Sequence, residues 1–280
     1  MNGARKGVMM KKWNGIFFIA CFAACCIGCA GKGAHIEYIE DPSLSKVLVK
    51  RALVIGIDDS MPILSFRNEK REYAGYDIEI FTAICKRMKI RPIFYPIKWS
   101  EKEALLNDGR IDCIASGFSV TAERQQHYTL LTPYLQNAQV MITLNRRSHV
   151  RLSDFAKRRI GVQAGSVSTA AIAQHPVLAS ASIIEYSDFD TLCRSLDEGD
   201  TDGIVVDLIT SYDTLMEQQR YTVIDEPLSA EFYTFAFRKN DKTLAAKIEA
   251  ELKALDAEGF IPALSRKWFG ADLSVLNIKF

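Results

Sequence analysis

The chain has 280 residues, 48% of them hydrophobic and 25% charged, an ordinary globular mix long enough for one large domain or two small ones. Its 35 basic and 34 acidic residues leave a net charge of +1, which argues against nucleic acid or another polyanion as partner. The sequence has no internal repeat, and His35, His127, His149 and His175 are scattered without metal-ligand spacing.

The N-terminus reads as a targeting segment rather than as part of a fold. Arg5, Lys6, Lys11 and Lys12 precede an apolar run from Ile16 to Ile27, short for a membrane span and suited to the core of a signal peptide. The run ends at Cys26-Ile27-Gly28-Cys29-Ala30-Gly31, where small residues before a cysteine resemble a bacterial lipoprotein cleavage site. Residues 1–28 are then a signal peptide, Cys29 the lipidated first residue, and 29–45 a tether. Cys26 stands where leucine is usual, Cys25 is a rival site, and a plain secretory signal or uncleaved anchor is the simpler alternative. The remaining cysteines, Cys85, Cys113 and Cys193, sit in apolar settings as small hydrophobes and form no disulfide framework.

The first expected strand, Ala52 to Ile57, is almost wholly apolar, as in a parallel sheet covered on both faces. Gly75-Tyr76-Asp77 opens a helix with Ile80, Phe81, Ile84, Cys85 and Met88 at helical spacing, and Asp77 is placed to favour its N-terminus. A strand from Pro92 to Ile97, a short helix over about 101–108 and a strand from Ile111 follow. The pattern then restarts: strand Arg159 to Gln163, a helix after Ser168, strand Ser182 to Tyr186, helix Asp190 to Leu196 and strand Gly203 to Val206. An extended Phe232 to Phe237 and a helix from about Leu244 to Ala257, closed by Gly259, complete the chain. Strands alternating with helices imply an α/β fold made of two units. Asp58, Ser116, Ser166 and Asp207 each follow a strand directly, where ligands bind in such sheets.

The most informative segment is Ser116 to Arg124, in which small residues, hydroxyls and one arginine follow an apolar strand. A carboxylate ligand needs such a set: a planar pair of guanidinium donors with hydroxyls and open backbone amides beside it. Together with Val54 to Pro62, Gly75 to Ile80, Thr132-Pro133-Tyr134, Val162 to Ser166, Asp202 to Asp207 and Lys267-Trp268-Phe269-Gly270, it resembles, in order, the polar amino-acid binding proteins of ABC importers, bacterial extracellular solute-binding family 3. The likeness runs from about Arg51 to Gly270.

The resemblance implies a periplasmic binding protein-like α/β fold of type II: two α/β lobes joined by a two-strand hinge. Lobe 1 would comprise 46–141 plus 233–280, and lobe 2 residues 142–232. It implies an extracytoplasmic substrate-binding lipoprotein, in the periplasm or at the cell surface. Its partners would be a polar L-amino acid, an ABC permease in the inner membrane and the lipid bilayer through an acyl anchor, with no cofactor and no metal. Arg124 would hold the ligand α-carboxylate, helped by Ser116, Gly117, Ser119 and, from lobe 2, Ser166 and Val167. Valine stands where the family often has threonine, so a hydroxyl is missing at Val167. Asp207 would take the α-ammonium. Trp99 and Met61 would enclose the side chain, with Phe118, Gln163 and Tyr233 as wall. Asp58 is either the partner of a cationic side chain or a loop carboxylate; Ser119 and Asp207 have helix caps as their structural alternatives, and Trp99 a core position. Two other readings use the same fold: a sensor subunit acting through a partner, and a cyclohexadienyl dehydratase-like enzyme, for which Glu231 or Asp58 would be the acid.

Overall fold

The computed structural model describes residues 41–145, 151–211 and 220–277. The expected signal peptide, Cys29 and the tether up to residue 40 lie outside them. The last stretch of the expected tether is structured: helix α1 (Ser43–Lys50) buries Ser43 and Val47. Asp41 ties it down by accepting a hydrogen bond from the Thr243 amide at 2.6 Å.

β1 (Ala52–Ile57) is buried along its whole length. A small separate sheet of β2 (Ser60–Met61), β3 (Ser65–Arg67) and β4 (Tyr73–Ala74) precedes α2 (Tyr76–Met88). β5 (Arg91–Pro96) pairs in parallel with β1. A 3-10 turn, Trp99–Glu101, leads into α3 (Lys102–Asn107) and then β6 (Cys113–Ser119), on the other side of β1. Past α4 (Ala122–His127) and β7 (Tyr128–Leu130), the chain crosses to the second unit along β8 (Leu135–Leu144). There β9 (Arg159–Gln163), α5 (Ser168–Gln174), β10 (Ser182–Tyr186), α6 (Phe189–Glu198) and β11 (Gly203–Asp207) repeat the parallel pattern, β9 lying between β10 and β11. β12 (Tyr221–Val223) follows, and β13 (Ser229–Arg238) returns the chain to the first unit, where α7 (Lys242–Ala257) and α8 (Phe260–Phe269) pack.

The strand order of the main sheet is β10-β9-β11-β8-β13-β6-β1-β5. β8 and β13 are therefore the two crossing strands that the resemblance implies, antiparallel to one another over Ser229↔Gln139 to Tyr233↔Leu135. Beyond that overlap each joins a different lobe: β8 pairs with β11 from Gln139 onward, and β13 pairs with β6 from Tyr233 onward.

Each lobe has its own core. Alternation along β1 sends Leu53, Ile55 and Ile57 to one face of the lobe 1 sheet, against α2 and α7, and Val54 to the other, with Trp99, Leu106 and Phe118. In lobe 2 the two faces hold a cluster around Leu192, Leu196 and Ile204 and another around Phe155, Ile160 and Val205. The lobe 2 clusters draw in Val140 and Met141 of the crossing strand β8, and the lobe 1 core takes in Ile209 from lobe 2, so the cores are separate except around the crossing.

The three cysteines behave as small apolar groups. Cys85 and Cys113 are buried, and burial pushes the Cys85 and Cys193 thiols up to about 12.

Candidate ligand-binding site

The carboxyl ends of β1, β6, β9 and β11 converge on one narrow cavity between the lobes. Lobe 1 contributes Met61, Trp99, Gly117, Ser119 and Arg124; Gln163, Ser166, Val167 and Asp207 face them from lobe 2, with Gln139 of β8 at the crossing. All the expected site residues except Asp58, Ser116, Phe118 and Tyr233 line this space. Tyr233 is fully buried, its ring packed against Gly117, and Ser116 and Phe118 are displaced for identifiable reasons.

Ser116 is fully buried beneath the site. Its hydroxyl contacts Ser65 Oγ and accepts from the Asp58 amide at 3.2 Å, and its own amide donates to Asp77 Oδ2 at 2.8 Å. Ser116 and Gly117 both have positive φ, 68° and 75°. This bend aims the end of β6 into the cleft, and Asp77 braces it. At Gly117 an added Cβ would lie 3.1 Å from the Tyr233 ring and 3.2 Å from Leu64, so glycine is needed for fit as well as for φ. Burial raises the Asp77 carboxyl to about 7, partly offset by the Tyr134 hydroxyl, which donates to it at 2.9 Å.

Phe118 is fully buried behind Arg124, whose guanidinium carbon lies 4.0 Å above its ring centroid. The ring is a platform for the guanidinium rather than a wall for ligand. Thr121 caps α4 by accepting from the Arg124 amide at 3.1 Å, so the cap considered for Ser119 is filled from two residues further on. The Ser119 carbonyl instead accepts from Arg124 Nη1 at 2.9 Å. Arg124 is only 8% exposed, yet among the described residues no carboxylate lies within ion-pair distance of it. Burial lowers its pKa, opposed by the more distant charges of Glu103 and Glu231. A buried cation without an anion is costly, and the cavity it lines is where an anion would fit.

At the other end of the headgroup, Asp207 Oδ1 accepts from Asn137 Nδ2 at 2.7 Å and Gln139 Nε2 at 2.6 Å. These amides, not the following helical turn, hold its carboxylate; the Ile209 amide is taken by Asn137 Oδ1 at 3.2 Å. Burial, and next the neighbouring charge of Glu231, push the Asp207 carboxyl well up. Asp58 lies at the far end of the cleft, 4% exposed, accepting from Ser60 Oγ at 2.7 Å and, across the lobes, from Gln163 Nε2 at 2.5 Å. Burial raises its pKa, against those hydrogen bonds.

Three features are absent from the sequence reading. Gln139 is almost fully buried, and its side-chain carbonyl accepts from Ser168 Oγ at 2.6 Å. Asn137 shares its face of β8. The signal lay in the run Gln136-Asn137-Ala138-Gln139, which interrupts an otherwise apolar strand. Lys102 is 1% exposed; its Nζ donates to Trp99 O at 3.1 Å and, across the cleft, to Gly165 O at 2.8 Å. Burial and then the nearby Arg124 charge lower it to about 8.

The family model of the bacterial extracellular solute-binding proteins, family 3, matches residues 53–271. The chain belongs to this family. In the crystal structure of Tv2483 bound to L-arginine, the protein is 53% identical, with a TM-score of 0.84 over 86% of this chain and 100% of that one. An ABC uptake transporter substrate-binding protein from Streptococcus pneumoniae with bound histidine is 29% identical, with a TM-score of 0.78, covering 84% of this chain and 98% of the other. The L-cystine-binding protein TcyJ of Escherichia coli (strain K12) is 25% identical over 85% of this chain and 90% of its own length. The family is one of extracellular solute-binding proteins, and no helix among the described residues is long and apolar enough to cross a membrane.

Proposed function

We propose that this protein binds a cationic L-amino acid between its lobes and delivers it to an ABC permease, outside the cytoplasm and anchored through an acylated Cys29. The observation that carries the reading is Arg124: a buried guanidinium, stacked on Phe118 and without a carboxylate partner among the described residues, facing a cavity. The ligand carboxylate would supply the missing anion, each charge-assisted bond contributing about 1.5–3 kcal/mol. Gly117, Ser119, Ser166 and Val167 surround that end, and Asp207 is the anion for the ammonium. Trp99 and Met61 bracket the side chain, an arrangement that suits a long, partly apolar stem. Asp58, buried at the far end, is the counter-charge for a cationic tip. The arginine bound to the 53% identical Tv2483 and the histidine bound to the pneumococcal protein agree with this choice.

Closure follows from the same contacts. A ligand gripped by Arg124 of lobe 1 and Asp207 of lobe 2 favours the state in which both reach it, and the closed form would dock on the permease. Binding rather than turnover fits Glu231, whose Oε1 is occupied by two amide donors. Isothermal titration with arginine, lysine, histidine, glutamine and cystine tests the reading. Micromolar or tighter binding of at least one cationic amino acid is expected. Tighter binding of cystine or glutamine than of every cationic ligand would remove the role given to Asp58, and no heat with any of them would remove the reading.

A further inference from the structure

If Asp207 takes the ligand ammonium, as proposed above, its neighbours act on that ammonium too. Asp207 does not stand alone at the crossing of β8 and β13. β13 sets Glu231 beside it, 8% exposed. The same two side-chain amides of β8 serve both carboxylates: Asn137 Nδ2 donates to Asp207 Oδ1 at 2.7 Å and also to Glu231 Oε1, while Gln139 Nε2 donates to Asp207 Oδ1 at 2.6 Å and to Glu231 Oε1 at 2.7 Å. One nitrogen bonded to both oxygens keeps them no further apart than the two bonds laid end to end. The Tyr233 hydroxyl is buried next to the pair on β13, and the Arg124 cation of α4 interacts with the Glu231 charge, while Lys102 and Glu103 of α3 lie near Arg124 in turn. Gln139 is itself fixed by Ser168 Oγ at 2.6 Å, so the amides are held by lobe 2.

Two like charges at this separation, largely removed from water, are not both retained cheaply; one proton held between them relieves the repulsion. A second group can do the same. An ammonium carries one positive charge and three N–H donors, enough for two carboxylates at once. We propose that Glu231 is a second carboxylate of the ammonium-binding end, and that the ligand's ammonium enters by displacing a proton held between Asp207 and Glu231. The step is an exchange: the proton passes to buffer, N–H donors of the ammonium take its place, and no covalent bond in the ligand changes. Because the empty pair holds its proton at lower pH, ligand and proton compete. Affinity therefore rises with pH, up to about tenfold per unit, and levels off once the empty pair is ionised. This dependence belongs to the headgroup, so it applies to any amino acid the cleft accepts.

Titration of the protein with L-arginine in two buffers of different ionisation enthalpy counts the protons exchanged. Release of on the order of one proton per ligand is expected below the plateau, with affinity climbing as pH rises above the ordinary carboxylate range towards the raised pKa of Asp207. Glu231→Gln keeps the shape and an acceptor for the amides but removes the second negative charge, leaving burial alone to raise the Asp207 carboxyl; proton release and the pH slope should both fall clearly below those of the unaltered protein. Glu231→Asp, which keeps the second charge, should retain both. Binding by the unaltered protein without proton release would overturn the proposal, and that measurement stands without either variant. An unchanged pH slope in Glu231→Gln would overturn it too. If no amino acid binds the unaltered protein at all, the amino-acid reading itself falls and takes this inference with it.

Discussion

Arg124 shows how a single side chain is prepared for its task before ligand arrives. Its backbone amide is fixed by the Thr121 cap, its guanidinium lies on Phe118, and Ser119 O holds one nitrogen. The rotamer entropy of a long side chain has thus been lost in folding rather than in binding. Arg124→Ala should weaken amino-acid binding by at least 100-fold in titration calorimetry, since two charge-assisted bonds together contribute about 3 kcal/mol or more. Arg124→Lys should recover only part of the loss. An ammonium keeps the charge but neither the fork nor the flat contact with Phe118. Equal affinity of the Lys and Arg proteins would show that charge alone matters here. Arg124 and Asp207 were legible in the sequence because each closes a local motif after an apolar strand. Gln139, Asn137 and Lys102 were not, because their roles arise from neighbours distant in sequence: a lysine becomes a contact between lobes only when Gly165 is folded against it.

At the scale of elements, the contact between the β9–α5 loop and the Trp99–Glu101 turn decides how closely the lobes approach. Gly165 has a φ of +77°, and a Cβ there would meet Ser100 Cα at 2.9 Å, a backbone atom that cannot swing aside. Lys102 Nζ bridges the same gap to Gly165 O, and Phe189 N reaches Ser60 Oγ at 3.3 Å nearby. Gly165→Ala should therefore act on closure as well as on backbone strain. The expected outcome is ligand affinity reduced by tenfold or more, with a ligand-saturated form less compact in small-angle scattering than the unaltered protein. An unchanged scattering curve would assign the whole effect to strain at φ. The ease of reading elements followed the same logic. β1 was plain because all six of its residues face cores. β8 was missed because the polar side chains that break its apolar pattern are the ones that build the site. α8 carries Pro262 in its first helical turn, where the absent N–H costs nothing, so the proline does not end the helix.

At the scale of the whole molecule, two lobes whose cores meet only near the crossing share a continuous sheet through β8 and β13, and contacts such as Lys102 Nζ to Gly165 O and Gln163 Nε2 to Asp58 Oδ2 span the cleft. Ligand that bonds to both lobes should stabilise them as a unit. At one hundred times its Kd a ligand bound only by the native state adds about 2.7 kcal/mol. For a chain of this size that corresponds to a rise in melting temperature of roughly 5–11 °C. Arginine should produce such a shift in the unaltered protein and almost none in Asp207→Asn. The variant also carries a sign that separates lost binding from lost folding. Asp207 has a raised pKa in the folded state, so its contribution to stability is full below the ordinary carboxylate range and is lost as pH rises through the folded value. Asparagine removes that loss while leaving an oxygen to accept from Asn137 and Gln139. At pH 8 the ligand-free variant should therefore melt no lower than the unaltered protein, even though arginine no longer raises its melting temperature. A ligand-free variant that melts several degrees lower at pH 8 would mean that the carboxylate holds the two strands together, and that its place at the crossing serves the fold before it serves the ligand.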